Sequence, residues 1–521
     1  MRINDFIMQP GQFNLLNPQQ EENLIKLIDI SKVFHKEAGM SVPKSASISN
    51  RTIVLESGHQ PNFLPYPGVW KKAFLLDYIS KQLRTFGVHV IPVFGFADYN
   101  LSTASYLSQN QIPAFNRQGS ENIGFKILEK DRWRCFHSLD KPSEERFSAE
   151  IEKIRRFYLD NTRNMNSDRD IIVHRTERLM DLLKKSHEQA RTYSEMNAIF
   201  FSRICTEIFA FDILFFRYTD VQKKGLFVEI SRQILNDLKK YNESYNRLIS
   251  STKVDIPQIE KDDIPFWYHC ECGGKVHLIE HPSTVLAGTC PVCGREHQFS
   301  SGSSMIDLDV NYPQMSLNAI ARNIIFSQGL GTHIFISGTG GGLRYGLLAD
   351  AISQELGFHR PLTLAWQSKD YYLGVVHHRS LVELMRTFQL HFGDLTDPSL
   401  NVRVREYRAT LQRQIAELRE RGGARKEIQR LEGRFLNSAV QAAILKKIFS
   451  ITPSILDLMA ACEPNQILEA WVVAVSEAEI DRDDHLLKMH QDVLYPCDLR
   501  SPLAPDKIPS IHHAMKAIEV E

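Results

Sequence analysis

One stretch constrains this chain more than any other: "RTIVLESGHQPNFLPYPGVWKKAFLLDYISKQLRTFGVHVIPVFGFADYN", residues 51–100. "RTIVLES" reads as a buried strand, "AFLLDYISKQL" places its apolar residues at helical spacing, and "VHVIPVFGFADYN" contains a second strand. Strand, helix and strand within about 45 residues make a βαβ unit, whose crossover favours a parallel sheet. A second unit follows far along the chain. "THIFISGTGGGLRYGLLADAISQELGFHRPLTLAW" runs strand, Gly-rich turn, helix and strand. Its helix carries Leu343, Leu347, Leu348, Ile352 and Leu356, and Gly357 is placed to stop it. The expected fold class is α/β.

Elsewhere the chain changes character. Residues 151–215 read as consecutive helices, a helical insertion before "DILFFRYTD" returns to strand. In residues 396–450, Tyr407, Leu411, Ile415 and Leu418 share one helical face, Gly422 and Gly423 break it, and Ile428, Leu431 and Phe435 resume it. That pattern describes an antiparallel hairpin of coiled-coil type, an oligomerisation or docking arm. The division expected is a lead-in (1–50), first half of the core (51–150), helical insertion (151–215), return to the core (216–264), small cysteine module (265–300), second half of the core (301–395), hairpin (396–450) and a C-terminal helical segment (451–521).

A chain of 521 residues suggests two to four domains, and 43% apolar with 24% charged residues is globular composition. Lys plus Arg equals Asp plus Glu at 62 each, which argues against a dedicated nucleic-acid binder. No apolar run approaches the roughly 18 residues that span a bilayer, and the polar N-terminus is unlike a targeting peptide. Cys135, Cys205, Cys462 and Cys497 are scattered, without the spacing of a disulfide framework. A reducing cytoplasm is the expected location.

The other four cysteines are clustered. "WYHCECGGKVHLIEHPSTVLAGTCPVCGREHQF" gives Cys270-x-Cys272, a 17-residue gap and Cys290-x-x-Cys293. Two knuckles, with Gly273 and Gly294 after the second cysteine of each, place four thiolates around one tetrahedral point, as a zinc ribbon does. Four thiolates close the coordination sphere, so the expected Zn²⁺ is structural. His269, His277, His281 and His297 lie nearby and are not needed as its ligands.

Two strand-to-helix turns concentrate the remaining chemistry, at the carboxyl ends of strands where open α/β sheets bind ligands. In "SGHQPNFLPYPGVWKK", His59 suits a phosphate or developing negative charge, Gln60 and Asn62 suit orienting roles, and Lys72 adds charge. A turn histidine can equally be a structural hydrogen-bonder. In "SGTGGGLRYG", consecutive glycines before a helix N-terminus suit an anion, or simply tight strand–helix packing; no Walker Gly-Lys-Ser/Thr follows. Asp98 and Asn100 end the second strand, where a carboxylate suits an amine or a ribose hydroxyl, or equally a cap on the next helix.

The first turn resembles the signature of the WbqC-like family, His-Gln-Pro-Asn-aromatic-Leu-Pro-aromatic-x-Gly followed by Lys, matched here by His59, Gln60, Pro61, Asn62, Pro65, Gly68 and Lys72. Across residues 50–450 the chain resembles the bacillithiol synthase family, the cysteine-adding ligases. There a Gly-Gln-Gln-Pro-Gly turn stands where this chain has Gly58-His59-Gln60-Pro61-Asn62. The next strand is similar to "IPVFGFADYN", a Gly-rich turn to "GTGGGLRY", and a coiled-coil hairpin follows. His59, Tyr99 and Gly342 depart from the glutamine, histidine and glutamate usual in that family.

The resemblance implies a Rossmann-type core like that of class I aminoacyl-tRNA synthetases and a homodimer through the hairpin. It further implies an ATP-using ligase that joins an amino acid, such as cysteine, to an amine acceptor. His59, Gln60, Asn62 and Lys72 would then be catalytic. Gly58, Ser337, Gly338, Thr339, Gly340, Gly341, Gly342 and Tyr345 would bind ATP or another adenine nucleotide, and Asp98, Asn100 and Trp366 the substrate. Two alternatives stand beside it: a transferase using a carrier- or tRNA-bound amino acid, and a non-catalytic assembly protein.

Overall fold

The computed structural model describes residues 13–49, 51–163, 165–251, 256–260, 262–281, 285–299, 306–338, 341–497, 499 and 504–519. At its centre lies a seven-stranded sheet. Its strands are β1 (Thr52–His59), β2 (His89–Phe96), β3 (Leu214–Arg217), β4 (Ile334–Gly338), β5 (Leu362–Gln367), β6 (Glu479–Asp483) and β7 (Leu486–His490). They run in the order β3-β2-β1-β4-β5-β7-β6, every neighbouring pair parallel except the terminal β6–β7 hairpin. The 3-2-1-4-5 portion is the order of a doubly wound sheet, which reverses direction between β1 and β4.

Burial on both faces explains the apolar runs that mark these strands. Ile53 and Leu55 of β1 point into one core with Phe94, Phe96, Phe201 and Phe215, whereas Val54 between them points into the other with Ile91 and Val93. Helix α1 (Pro18–Glu37) begins at a capping box on Asn17 and covers the free edge of β3. Its Ser31 hydroxyl donates to the Phe215 carbonyl at 2.8 Å, and the Phe215 N–H donates to His35 Nε2 at 3.1 Å. The lead-in is thus part of the core. Helix α2 (Pro67–Thr85) crosses from β1 to β2, with Pro67 in its first turn, and stacks Trp70 on Phe201 at 4.1 Å.

The expected insertion lies between β2 and β3 as α3 (Glu144–Asn161), α4 (Asn166–Gln189) and α5 (Tyr193–Arg203). The cysteine module is a five-stranded antiparallel sheet built from Asp263–His269, Lys275–His281, Val285–Thr289 and Glu296–Phe299, joined at its edge by Met315–Leu317. Helix α6 (Ala319–Leu330) leads into β4, and α7 (Leu347–Leu356) ends at Gly357 in the left-handed conformation, as expected. The hairpin is α8 (Leu400–Glu420) and α9 (Arg425–Ile448), and the seven apolar residues that mark it in the sequence pack together.

One expectation fails. The segment 451–521 is not only helical, because β6 and β7 extend the parallel sheet. "EIDRDDHLLKMH" is dense in charge because β6 is an edge strand, and only Ile480 of its five residues is buried. Among the described residues no helix is long and apolar enough to cross a membrane.

Candidate functional site

The two polar turns meet where the strand order reverses. The turn after β1 is held open by its surroundings. Leu64 sits at φ 46°, a costly value for a branched side chain, between Pro61 and Pro65. Side-chain donors hold the loop carbonyls in place: Asn197 Nδ2 reaches the Pro61 oxygen at 2.8 Å, Asn110 Nδ2 the Leu64 oxygen, and Trp70 Nε1 the Pro65 oxygen at 2.9 Å. The prolines therefore share their shaping role with two long-range contacts and one local one.

A cavity of about 380 Å³ lies between β1, β4 and β5, and His59, Lys72, Ser337, Gly338, Gly341 and Trp366 all line it. Lys72 Nζ donates to the Gly58 carbonyl at 3.0 Å, and its stem crosses Gly338. A Cβ added to Gly338 would lie 3.3 Å from Lys72 Cε, which gives that glycine a reason. The adjacent lysine has a different fate. Lys71 Nζ is bound by both Asp370 carboxylate oxygens at 3.0 Å and by the Ser368 hydroxyl, 5.0 Å above the Trp366 ring. Among the described residues Lys72 has no carboxylate partner. Burial, assisted by the charge of Arg322, pushes its ammonium down to about 8.

His59 Nδ1 lies 3.0 Å from the Gln60 carbonyl oxygen, so this nitrogen carries the proton and donates. Burial, then the Lys72 charge and to a smaller degree that of Arg322, hold the imidazole down to about 3 against the opposing Gln60 hydrogen bond. The ring is therefore neutral near pH 7, with an unprotonated Nε2. Donating to a phosphate, the role expected of His59, does not suit that state; the free Nε2 suits accepting a hydrogen bond, because the burial and Lys72 charge that keep the ring neutral also make it a weak base.

Two residues without a motif lie outside the cavity lining, and one of them, Arg322, bears on His59 and Lys72 through its charge. Arg322 on α6 rests 5.0 Å over the Tyr218 ring and reaches the Tyr99 hydroxyl at 3.3 Å. No carboxylate among the described residues is within ion-pair distance of it. Glu56 on β1 accepts from the Thr332 hydroxyl at 2.6 Å, and burial lifts its carboxyl to about 7 against Thr332 and Arg322. Both were detectable in principle, as lone charges inside the apolar runs "AIARNIIF" and "TIVLES".

Other candidates are not brought to the cavity. Asn62 is buried with an unpartnered Oδ1 and does not line it, and neither does Gln60, whose carbonyl serves His59. Gly342 opens a π-helical turn, Gly342–Gly346, that leaves Tyr345 exposed and outside the lining. Thr339 and Gly340 lie outside the described residues. Asp98 lines a separate cavity of about 420 Å³ beyond β2 and β3, shared with His137, Arg217, Asp220 and Lys223. Its carboxylate accepts from the Thr219 N–H at 3.2 Å and from the Thr219 hydroxyl, and burial raises it to about 6. It accepts at the first turn of a short helix, Tyr218–Lys223, far along the chain rather than of the next helix, and it does not line the first cavity. Asn100 meets the Phe136 N–H through its backbone carbonyl. Trp366 keeps its place in the lining, its Nε1 donating to the Gln491 carbonyl at 2.9 Å.

The four cysteines converge as their spacing implies. Cys270 and Cys293 sulfurs are 3.7 Å apart, Cys272 and Cys290 sulfurs 3.5 Å, and all four lie within 4.8 Å of one another. Metal–sulfur bonds of about 2.3 Å give a tetrahedron with edges of roughly 3.8 Å, so the cluster suits a metal ion. No family model matches the chain, and no curated protein matches it in sequence.

Proposed function

We propose that this chain is a nucleotide-using ligase that joins an amino acid to an amine acceptor in the cavity between β1 and β4. The observation that carries the proposal is Lys72. A half-buried ammonium with no carboxylate partner among the described residues faces a turn cleared of side chains at Gly338, at the switch point where doubly wound sheets take phosphates. Lys72 supplies charge to the nucleotide phosphates, and backbone N–H groups of the Gly-rich turn add donors. Attack of the amine on the activated carboxyl forms the C–N bond and expels the phosphate-bearing leaving group; the amine's proton passes to solvent, and His59 Nε2 is free to accept a hydrogen bond from the amine N–H. The resemblance to bacillithiol synthases in the order of turns, insertion and hairpin supports the same reaction class, and the class I synthetase-like core is the fold-level counterpart of that reading.

The Cys270, Cys272, Cys290 and Cys293 cluster would hold Zn²⁺ in a closed, structural role, pinning both ribbon knuckles. A cytoplasmic setting keeps these thiols available for the metal. The test is amino-acid-dependent exchange of pyrophosphate into ATP by the full chain, with Lys72→Ala as control. Exchange that Lys72→Ala lowers at least 100-fold supports the assignment. Absence of both exchange and ATP binding by calorimetry sinks it.

A further inference from the structure

We propose that Cys135, His137 and His269 form a second transition-metal site, distinct from the four-cysteine cluster and suited to Zn²⁺ with one coordination position left open. The Cys135 sulfur and one ring nitrogen from each histidine lie within 4.8 Å of one another. Two parts of the fold deliver them. Cys135 and His137 flank the start of a 3₁₀ turn, Phe136–Ser138, and His269 ends the first ribbon strand. The Cys135 N–H donates to the Gly273 carbonyl at 2.8 Å, which ties the turn to the ribbon. The His137 N–H donates to the Asp98 carbonyl at 2.9 Å, which ties it to the end of β2. The donors are therefore positioned by backbone that is itself anchored, as a metal site requires.

Two orphaned atoms make the second argument. His137 Nδ1 and His269 Nε2 are buried and have no hydrogen-bond partner among the described residues. Buried imidazole nitrogens are nearly always satisfied, so an orphaned nitrogen on each of two histidines grouped with a buried thiol calls for a shared partner. One thiolate and two imidazoles are borderline-to-soft donors, the set that selects zinc over magnesium or calcium. Among the described residues no fourth Cys, His, Asp or Glu completes the group. Three protein ligands with an open position are the pattern of a metal that binds water or a substrate donor. His137 also lines the 420 Å³ cavity that holds Asp98 and Arg217, which gives a small molecule a route to that position.

This inference does not depend on the nucleotide cavity or on ligase activity. It is tested by metal content and cobalt spectroscopy of the full chain. Wild-type protein reconstituted with Zn²⁺ and dialysed should hold two equivalents per chain, and Cys135→Ala and His137→Ala one each. Cobalt titration of the wild type, which needs no variant, should show two sets of bands: strong thiolate-to-cobalt charge transfer from four sulfurs, and a weaker set from one sulfur. Saturation of the wild type at one equivalent with a single set of bands overturns the proposal, as does retention of two zinc equivalents by folded Cys135→Ala.

Discussion

The cysteine ribbon and the β1–β4 cavity are both built from polar residues, yet they assemble in opposite ways. The ribbon draws four donors from 24 consecutive residues, Cys270 to Cys293, and its geometry follows from two tight knuckles. The cavity draws His59, Lys72, Ser337, Gly338, Gly341 and Trp366 from segments almost 280 residues apart, and its geometry follows from strand order. A site closed by local turns is specified by spacing, whereas a site closed by a sheet is specified by which strands become neighbours.

Removing a ribbon ligand should give the largest effect. Cys272→Ser should abolish the metal at that cluster and forfeit on the order of 10 kcal/mol of metal-linked folding free energy. Limited proteolysis should then cut within residues 263–299 while the parallel sheet survives. Loss of the whole fold in one step would show that ribbon and sheet are not separable.

The two adjacent lysines sharpen the contrast inside the cavity. Lys71 and Asp370 side chains are 6% and 11% exposed, so Lys71→Ala should cost about 3 kcal/mol in denaturant unfolding by leaving the carboxylate with the Tyr495 hydroxyl and no cation. Lys72→Met should instead stabilise the nucleotide-free protein by about 1 kcal/mol at pH 7, because it removes a half-buried charge that no carboxylate among the described residues offsets, while nucleotide affinity falls at least 100-fold. Equal destabilisation by both substitutions would place Lys72 in the framework rather than the site.

Acid sensitivity gives a third, smaller handle. The folded His59 pKa, about 3, lies below its ordinary 6.5, so the unfolded chain binds the extra proton between those values. Its contribution to stability is complete above pH 6.5 and is lost as pH falls towards 3. His59→Asn should flatten that part of the stability–pH curve. Activity should show no acid limb near 6.5 from this residue, and its upper limb should follow Lys72 near 8. Gly338→Ala should have the least effect on folding, since the new methyl meets only the movable Lys72 stem, and should lower kcat/KM about tenfold by displacing it.

Sequence reasoning found residues that advertise themselves. His59 ends β1, Lys72 lies early in the helix that follows it, the Gly-rich turn follows β4, and both turns do reach one cavity. Gln60, Asn62, Asp98, Asn100 and Tyr345 were chosen because they lie near such turns along the chain, but side-chain direction sends them elsewhere. Arg322 was missed because helix α6 carries no motif; only its position in an apolar run marked it. Strand β6 was missed because an edge strand keeps its charges.

Local chemistry decided the rest in advance. Apolar runs demanded strands buried on both faces, glycines and prolines set the turns, and cysteine spacing closed a tetrahedron, because each depends on neighbours a few residues away. Only the tertiary structure decided that β1 lies beside β4, that Lys71 is neutralised while Lys72 is not, and that Cys135 and His137 meet His269. Those outcomes depend on contacts between distant segments, where burial and the charge of a remote side chain, not proximity along the chain, determine what a residue can do.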